Sequence, residues 1–250
     1  MATGVLILGI GRATRLLGYL AAHDKDYDAT IRLGQRTVTD DADGEVVGGA
    51  RAGEVAEADV LAAVPSFVGE IEQVPSAVSA IKVDGVRSYT RVRAGENVEL
   101  PARKVTVSTF AVVGFRRPAD DLIDVDVSVT CSSGTYIRAL ARDLGEVLGI
   151  GGHLTALRRT RIGGVDVSQA HTLDQLAADL TVLPLADAVR SAFPTRTVTG
   201  DDAVGVRNGR PLAIAGESGP TGIFDTEGQV LALMEPRGDA LRVLVGFSAG

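Results

Sequence analysis

The chain has 250 residues, 45% of them hydrophobic and 23% charged, with a formal net charge of −7. That length carries one large domain, or a large one with a small companion. The negative balance excludes a protein that coats nucleic acid through its overall field, but leaves room for a local basic patch.

A single cysteine, Cys131, excludes an internal disulfide and fits a reducing cytosol. The three histidines, His23, His153 and His171, are too scattered for metal-ligand spacing. No apolar run reaches the ~20 residues that cross a bilayer. A cytoplasmic protein without membrane or metal is therefore expected.

At the amino terminus, Met1-Ala2-Thr3-Gly4 leads straight into Val5-Leu6-Ile7-Leu8, which reads as a buried strand. Basic residues before the run and a cleavage site after it are both missing, so it is no signal peptide. A chain that opens inside a core strand reads as cut. Gly9-Ile10-Gly11 followed by helical spacing over Arg12–Ala22 imitates a dinucleotide fingerprint. Thr14 stands where the third glycine belongs, and no acid follows at Leu33-Gly34, which argues against a nucleotide site.

Tyr27–Leu33 alternates as a strand. Thr39–Gly44 imitates a calcium loop, but Thr39 and Ala50 occupy two principal ligand positions, so a turn between strands is expected. Ala58–Ala63 reads as a short helix. Beyond Gln73–Lys82 come Arg87, Tyr89, Arg91, Arg93, Arg103 and Lys104. Basic residues interleaved with a tyrosine can bind a nucleic-acid strand by phosphate pairing and stacking. They can equally form a solvated face balanced by Asp84, Glu96 and Glu99.

Val105–Val113 and Leu122–Cys131 read as strands joined through Arg116-Arg117-Pro118. Ser132-Ser133-Gly134 supplies turn residues and hydroxyls able to take free helix-start N–H groups. From Thr135 the period becomes helical, with Ile137, Leu140, Ala141, Leu144 and Leu148 on one face. Arg138 then lies in the first turn, where the helix dipole disfavours a cation by about 0.3–1 kcal/mol. Two readings stand: an anion waits opposite Arg138, or it is a surface residue paired with Asp143 or Glu146. Gly151–Arg161 adds a second basic cluster. Past Pro184 and Pro194, which bracket a short helix, turn signals separate Leu212–Ala215, Gly222–Phe224, Val230–Met234 and Leu241–Phe247. These short strands predict a small β-barrel.

Cys131-Ser132-Ser133-Gly134-Thr135-Tyr136-Ile137-Arg138 resembles the TruB family of tRNA pseudouridine synthases. Ala2-Thr3-Gly4-Val5-Leu6 is similar to the end of that family's G-x-L-D-P-x-A-T-G-V-L motif. Lys25-Asp26-Tyr27, Arg32-Leu33-Gly34 and Thr39-x-Asp41-x-x-Gly44 resemble its second motif. Gln73-Val74-Pro75, Ser79-Ala80-Ile81-Lys82 and Gly85-x-Arg87-x-Tyr89 resemble its third.

The resemblance implies an α+β fold: a catalytic domain over 1–182, with a mixed, mainly antiparallel sheet flanked by helices, and a PUA-like RNA-binding barrel over 183–250. It implies isomerisation of uridine 55 in the TΨC stem-loop of tRNA, by a monomer and without cofactor or metal. The target base would be flipped into a pocket and attacked by an aspartate that Arg138 keeps ionised and aimed. Tyr27 would stack on the base, and Leu157 would wall the pocket. Lys25, Lys82, Arg87, Tyr89, Arg103, Lys104, Arg158 and Arg159 are the expected RNA contacts.

The family's aspartate falls two positions before the residue aligned with Met1, so the sequence as written carries Arg138 without it. Arg138 is therefore expected to face no partner, and the 250-residue form to melt at low temperature. The competing expectation is a tRNA-binding or RNA-folding protein without catalysis.

Overall fold

Period-two alternation builds a sheet unit from residues 1–5 and 22–162. The structure is a computed structural model that describes residues 2–83, 85–93, 96, 98 and 100–247, without the side chains of 82, 83, 86, 92 and 93. Asp84 and Glu99 lie outside the described residues, as do the side chains of Lys82 and Arg93. The strands of this unit's sheet are β1 (Ala2–Gly4), β2 (Lys25–Leu33), β3 (Gly69–Gln73), β4 (Arg103–Ala119), β5 (Leu122–Cys131) and β6 (Gly152–Ile162). They lie in the order β1-β6-β2-β5-β4-β3. β1 runs parallel to β6, and every other neighbour in that order is antiparallel.

One face of the sheet is apolar. Ala29, Ile31 and Leu33 of β2 join Val125, Val127, Val129 and Cys131 of β5 in a core with Leu154 of β6. A helix, Ile137–Val147, presses Ile137, Leu140, Ala141 and Leu144 into that core. Burying each large aliphatic side chain is worth about 1.5–3 kcal/mol. The approach to β6 is close: a Cβ on Gly145 would lie 2.1 Å from the backbone nitrogen of Gly152. Only glycine fits.

Two expected boundaries move. The strand expected at Val5–Leu8 is instead Ala2–Gly4; Val5 is buried, whereas Leu6 and Leu8 are 68% and 71% exposed. Pairing decides the boundary. Gly4 lies opposite Arg159 at φ +96°, Val5 donates its N–H to the Arg159 carbonyl at 2.9 Å, and the chain passes to the second unit at Leu6. Likewise β4 runs through Arg116-Arg117-Pro118 to Ala119, and the turn falls at Asp120-Asp121. β3 covers β4 only from Arg103 to Val107, so Pro118 sits where its missing N–H takes nothing from that ladder.

The second unit takes Leu6–Ala21 and the chain from Gly163. Its strands Thr195–Thr197, Leu212–Ala213, Thr221–Phe224, Val230–Arg237 and Ala240–Gly246 form a five-stranded sheet. The strands at Thr195 and Leu212 stand at the two ends of the pairing order. Leu16 and Leu20, from the segment expected to be helical, pack with Val189, Phe193, Phe224 and Leu233. A helix over Gly200–Arg207, with Asp201 and Asp202 in its first turn, stands between the strands Thr195–Thr197 and Leu212–Ala213, where the sequence pattern predicts no helix. Its two glycines hide the helical spacing, and its acids suit the dipole.

Candidate active site

The helix carrying Arg138 starts without a cap of its own. Tyr136, at the cap position, makes no side-chain capping bond. Gln73, the last residue of β3, supplies it: its Oε1 accepts from the Tyr136 N–H at 2.8 Å, and its Nε2 donates to the Tyr136 carbonyl at 3.1 Å. Ser132, expected to help start this helix, uses its Oγ elsewhere and accepts from Thr106 N–H at 2.9 Å. The sheet-to-helix step therefore needs a residue 63 positions away in sequence.

Arg138 has an anion. Its Nη1 donates to Asp41 Oδ2 at 3.0 Å and to the Thr39 carbonyl at 2.9 Å, and its Nη2 to the Val78 carbonyl at 2.7 Å. The reading of an anion opposite Arg138 holds, and two others fall: Arg138 is neither a surface residue paired with Asp143 or Glu146 nor a guanidinium without a partner. The reason is the Thr39–Gly44 turn, which lies between the short paired strands Arg36–Thr37 and Val46–Gly48. Asp41 Oδ1 takes the Thr39 hydroxyl at 2.5 Å and the Asp43 N–H at 3.1 Å, which leaves Oδ2 for Arg138.

Arg142, one turn on, bonds Asp143 at 2.8 Å, Asp40 at 3.3 Å and the Val74 carbonyl at 2.8 Å. Burial pushes the Asp40 carboxyl above the ordinary range, against the pull of Ser76, Arg142 and Arg138 and with the push of Asp41's charge. Asp143 is raised for the same first reason, burial.

Tyr27 and Leu157 lie on neighbouring strands, half-buried against the same core. Tyr27 is opposite Arg159, and Leu157 is opposite Ala29 on one side and Ala2 on the other. Burial raises the Tyr27 hydroxyl above its usual value, with Arg159 opposing through a hydrogen bond. Burial likewise lowers the Lys25 ammonium, which donates to the His23 carbonyl at 2.9 Å. Cys131, opposite it on β5, is pushed up to about 11 by burial, which makes it an inert core thiol.

The edge of β6 that β2 leaves open carries two segments. Ala2 lies opposite Leu157, and the Asp40–Asp41 turn docks three residues earlier, where Leu154 donates its N–H to the Asp40 carbonyl at 3.0 Å. β1 and the Arg138–Asp41 pair thus share one sheet edge.

The expected RNA contacts fall into three groups. Lys25, Arg158 and Arg159 are on β2 and β6, where Arg158 is exposed and Arg159 donates to the Val5 carbonyl at 2.8 Å. Exposed Arg103 and Lys104 on β4 lie opposite Gln73 and Glu72. Lys82 and Arg87 pair in a short hairpin, with the Arg87 guanidinium 6.0 Å from the Tyr89 ring. A cleft of about 610 Å³ lined by Gly34, Gly49, Arg51 and Asp121 opens beyond the far end of β2 from Tyr27. Among the described residues, no group of three His, Cys, Asp or Glu side chains is placed to hold a metal ion.

Sequence reasoning quoted Asp41 and Gln73 within motifs without giving either a role. Neither had a local signal, because their partners lie 97 and 63 residues away.

Three family profiles match in sequence order: TruB family pseudouridylate synthase (N terminal domain) over residues 1–137, tRNA pseudouridylate synthase B C-terminal domain over 138–188, and tRNA Pseudouridine synthase II, C terminal, over 193–248. The tRNA pseudouridine synthase B of Thermobifida fusca is 57% identical over 99% of this chain and 86% of its own length. The protein of that name from Streptomyces coelicolor is 54% identical over 99% and 84%. Among solved structures, a chain of a Cbf5-Nop10-Gar1 complex superposes with a TM-score of 0.71 at 23% identity, covering 99% of this chain and 73% of that one. This likeness shows a shared fold. The chain belongs to the TruB family of pseudouridine synthases, a class of isomerases.

Proposed function

We propose that this protein converts uridine 55 in the TΨC stem-loop of tRNA to pseudouridine, acting as a cytoplasmic monomer without metal or cofactor. The observation that carries the reading is the shared edge of β6. A chain prolonged backwards from Ala2 by three residues, at about 3.3 Å each, would run towards Leu154, where the turn that Arg138 holds already takes the edge of β6, and would end beside that turn. The aspartate of a Gly-x-Leu-Asp-Pro stretch ahead of Ala2 would stand there, close to a guanidinium that keeps it ionised.

The aspartate attacks C1′ of the sugar, and the bond between C1′ and N1 of the base breaks. The freed uracil turns, its C5 attacks C1′ and displaces the aspartate as a free carboxylate, and the C5 proton leaves as N1 gains one. Tyr27 stacks on the flipped base. With its hydroxyl raised by burial it stays protonated at neutral pH and is available as a proton donor. Leu157, between β1 and Ala29, shields the carboxylate from water.

The basic residues Lys25, Lys82, Arg87, Arg103, Lys104, Arg158 and Arg159, with Tyr89, track the stem-loop backbone. The C-terminal unit adds a PUA-like RNA surface.

The test is tritium release from tRNA carrying 5-tritiated uridine, with this chain preceded by a Gly-x-Leu-Asp-Pro stretch. Release is expected with uridine at position 55, and none once that aspartate becomes asparagine. Release that persists with cytidine at position 55 would overturn the assignment. Turnover by residues 1–250 alone would overturn the role of the preceding aspartate.

A further inference from the structure

Gln73, a buried neutral side chain, grips the start of the Arg138 helix from another element. It is 2% exposed, and both ends of its amide bond the backbone of a single residue, Tyr136. Capping a helix needs an acceptor for a free N–H, which serine, threonine or aspartate provides. The second bond, from Nε2 to the Tyr136 carbonyl, is beyond what a cap requires. Together the two bonds hold this residue as an adjacent strand would, against both sliding and rotation.

The chain that leaves Gln73 continues the grip. The Val74 carbonyl takes Arg142, and the Val78 carbonyl takes Arg138. Ser76 donates to the Thr39 carbonyl at 3.1 Å, which is also an acceptor for Arg138. Segment 73–78 therefore fixes both the backbone two residues before Arg138 and the oxygens around its guanidinium.

We propose that Gln73 is a positioning residue that sets the direction of the Arg138 guanidinium through the backbone of Tyr136. The inference rests on the role given above to Arg138 at the reacting centre. Gln73→Glu separates positioning from capping. Glutamate keeps the acceptor and adds a negative charge that a helix N-terminus favours, but as a carboxylate it cannot donate to the Tyr136 carbonyl. Were Gln73 only a cap, this variant would match the wild type in stability and rate.

The experiment is single-turnover tritium release with the chain preceded by the Gly-x-Leu-Asp-Pro stretch in excess over tRNA, so that the rate constant does not depend on the folded fraction. Gln73→Glu and Gln73→Met are expected to slow it by about 10- to 100-fold, the cost of displacing a reacting group by up to about an ångström. The Kd for tRNA of Gln73→Glu stays near wild type, while its buried carboxylate facing the Tyr136 carbonyl lowers the melting temperature, a loss that the single-turnover rate does not register. In an Arg138→Lys background the Gln73→Glu change adds little, because the geometry it sets is already lost. A wild-type rate for Gln73→Glu, or undiminished slowing in the Arg138→Lys background, would overturn the proposal.

If Arg138→Lys itself turns over like the wild type, the role of Arg138 falls instead. A readout without turnover then decides for Gln73: the 15N-detected guanidinium signals of the 250-residue chain, assigned by their loss in Arg138→Lys. Gln73→Glu is expected to shift the Arg138 signals and speed their exchange with water. Unchanged signals would overturn the positioning role.

Discussion

Two sets of arginine–aspartate pairs occupy the sheet unit, and they are held in different ways. On the sheet, Arg32 makes a two-pronged bond to Asp124 at 2.8 and 2.9 Å, and Arg161 does the same to Asp26 at 2.6 and 2.7 Å. In both cases the partners stand directly opposite across neighbouring strands. Once the register is set, such a pair needs nothing further. At the helix start, Arg138 and Arg142 reach aspartates in the 39–41 turn and carbonyls in the 73–78 segment. Three separate stretches must be in place before those bonds exist. The sheet pairs confirm a register that the apolar core already dictates, whereas the helix pairs build a site that no single element contains.

That contrast can be broken at several points. The largest expected effect is on turnover: Arg138→Ala in the chain preceded by the Gly-x-Leu-Asp-Pro stretch should slow single-turnover tritium release by about 10²–10³-fold, with tRNA affinity by filter binding nearly unchanged. Next comes stability. Leu140 is fully buried under the helix, and Leu140→Ala should lower unfolding free energy by about 2–5 kcal/mol in urea titration. If that loss is small, the helix is held by its arginines more than by its core face, and the comparison reverses.

Arg32→Met is expected to cost only about 1 kcal/mol, because the Arg32 side chain is 29% exposed and Arg116 remains within 3.7 Å of Asp124. Its release rate should match the wild type; a large loss would mean that the sheet pairs also shape the site.

The smallest effect is a difference of sign with pH. Burial acts to raise Asp126, but hydrogen bonds from Thr30 and Arg116 outweigh it and its carboxyl titrates below the usual value. Its stabilisation is present above the ordinary carboxylate value of 3.8 and is lost as pH falls through its own lower one. Asp40 is shifted the other way, chiefly by burial, so its ionisation costs stability as pH rises above 3.8. In urea midpoints between pH 3 and 6, Asp126→Asn should flatten the acid loss of stability and Asp40→Asn should steepen it. Slopes of the same sign would show that the site and the sheet do not differ in electrostatic design.

Much of this protein was legible in its sequence. Alternation fixed β2 and β5, because one face of each is apolar and the other polar. The helical face of Ile137, Leu140, Ala141, Leu144 and Leu148 was equally plain; the first four are buried and Leu148 is half-buried against the same core. Arg138 stood out because a cation in the first helical turn opposes the dipole, and that anomaly correctly implied an anion. The sequence motifs led to the family that the profiles confirm.

What the sequence left open shares one cause: each feature depended on a partner distant in the chain. The end of β1 is set by where β6 stops pairing, not by the apolar run Val5–Leu8. The anion is Asp41, which an arginine 97 residues later reaches only after the sheet and helix have packed. The cap of the helix is a glutamine at the end of β3. Local periodicity reports which face of an element is buried, since that depends on residues two to four apart. It carries no information on which loop lies against that element's end, and at this site the tertiary structure alone decides that.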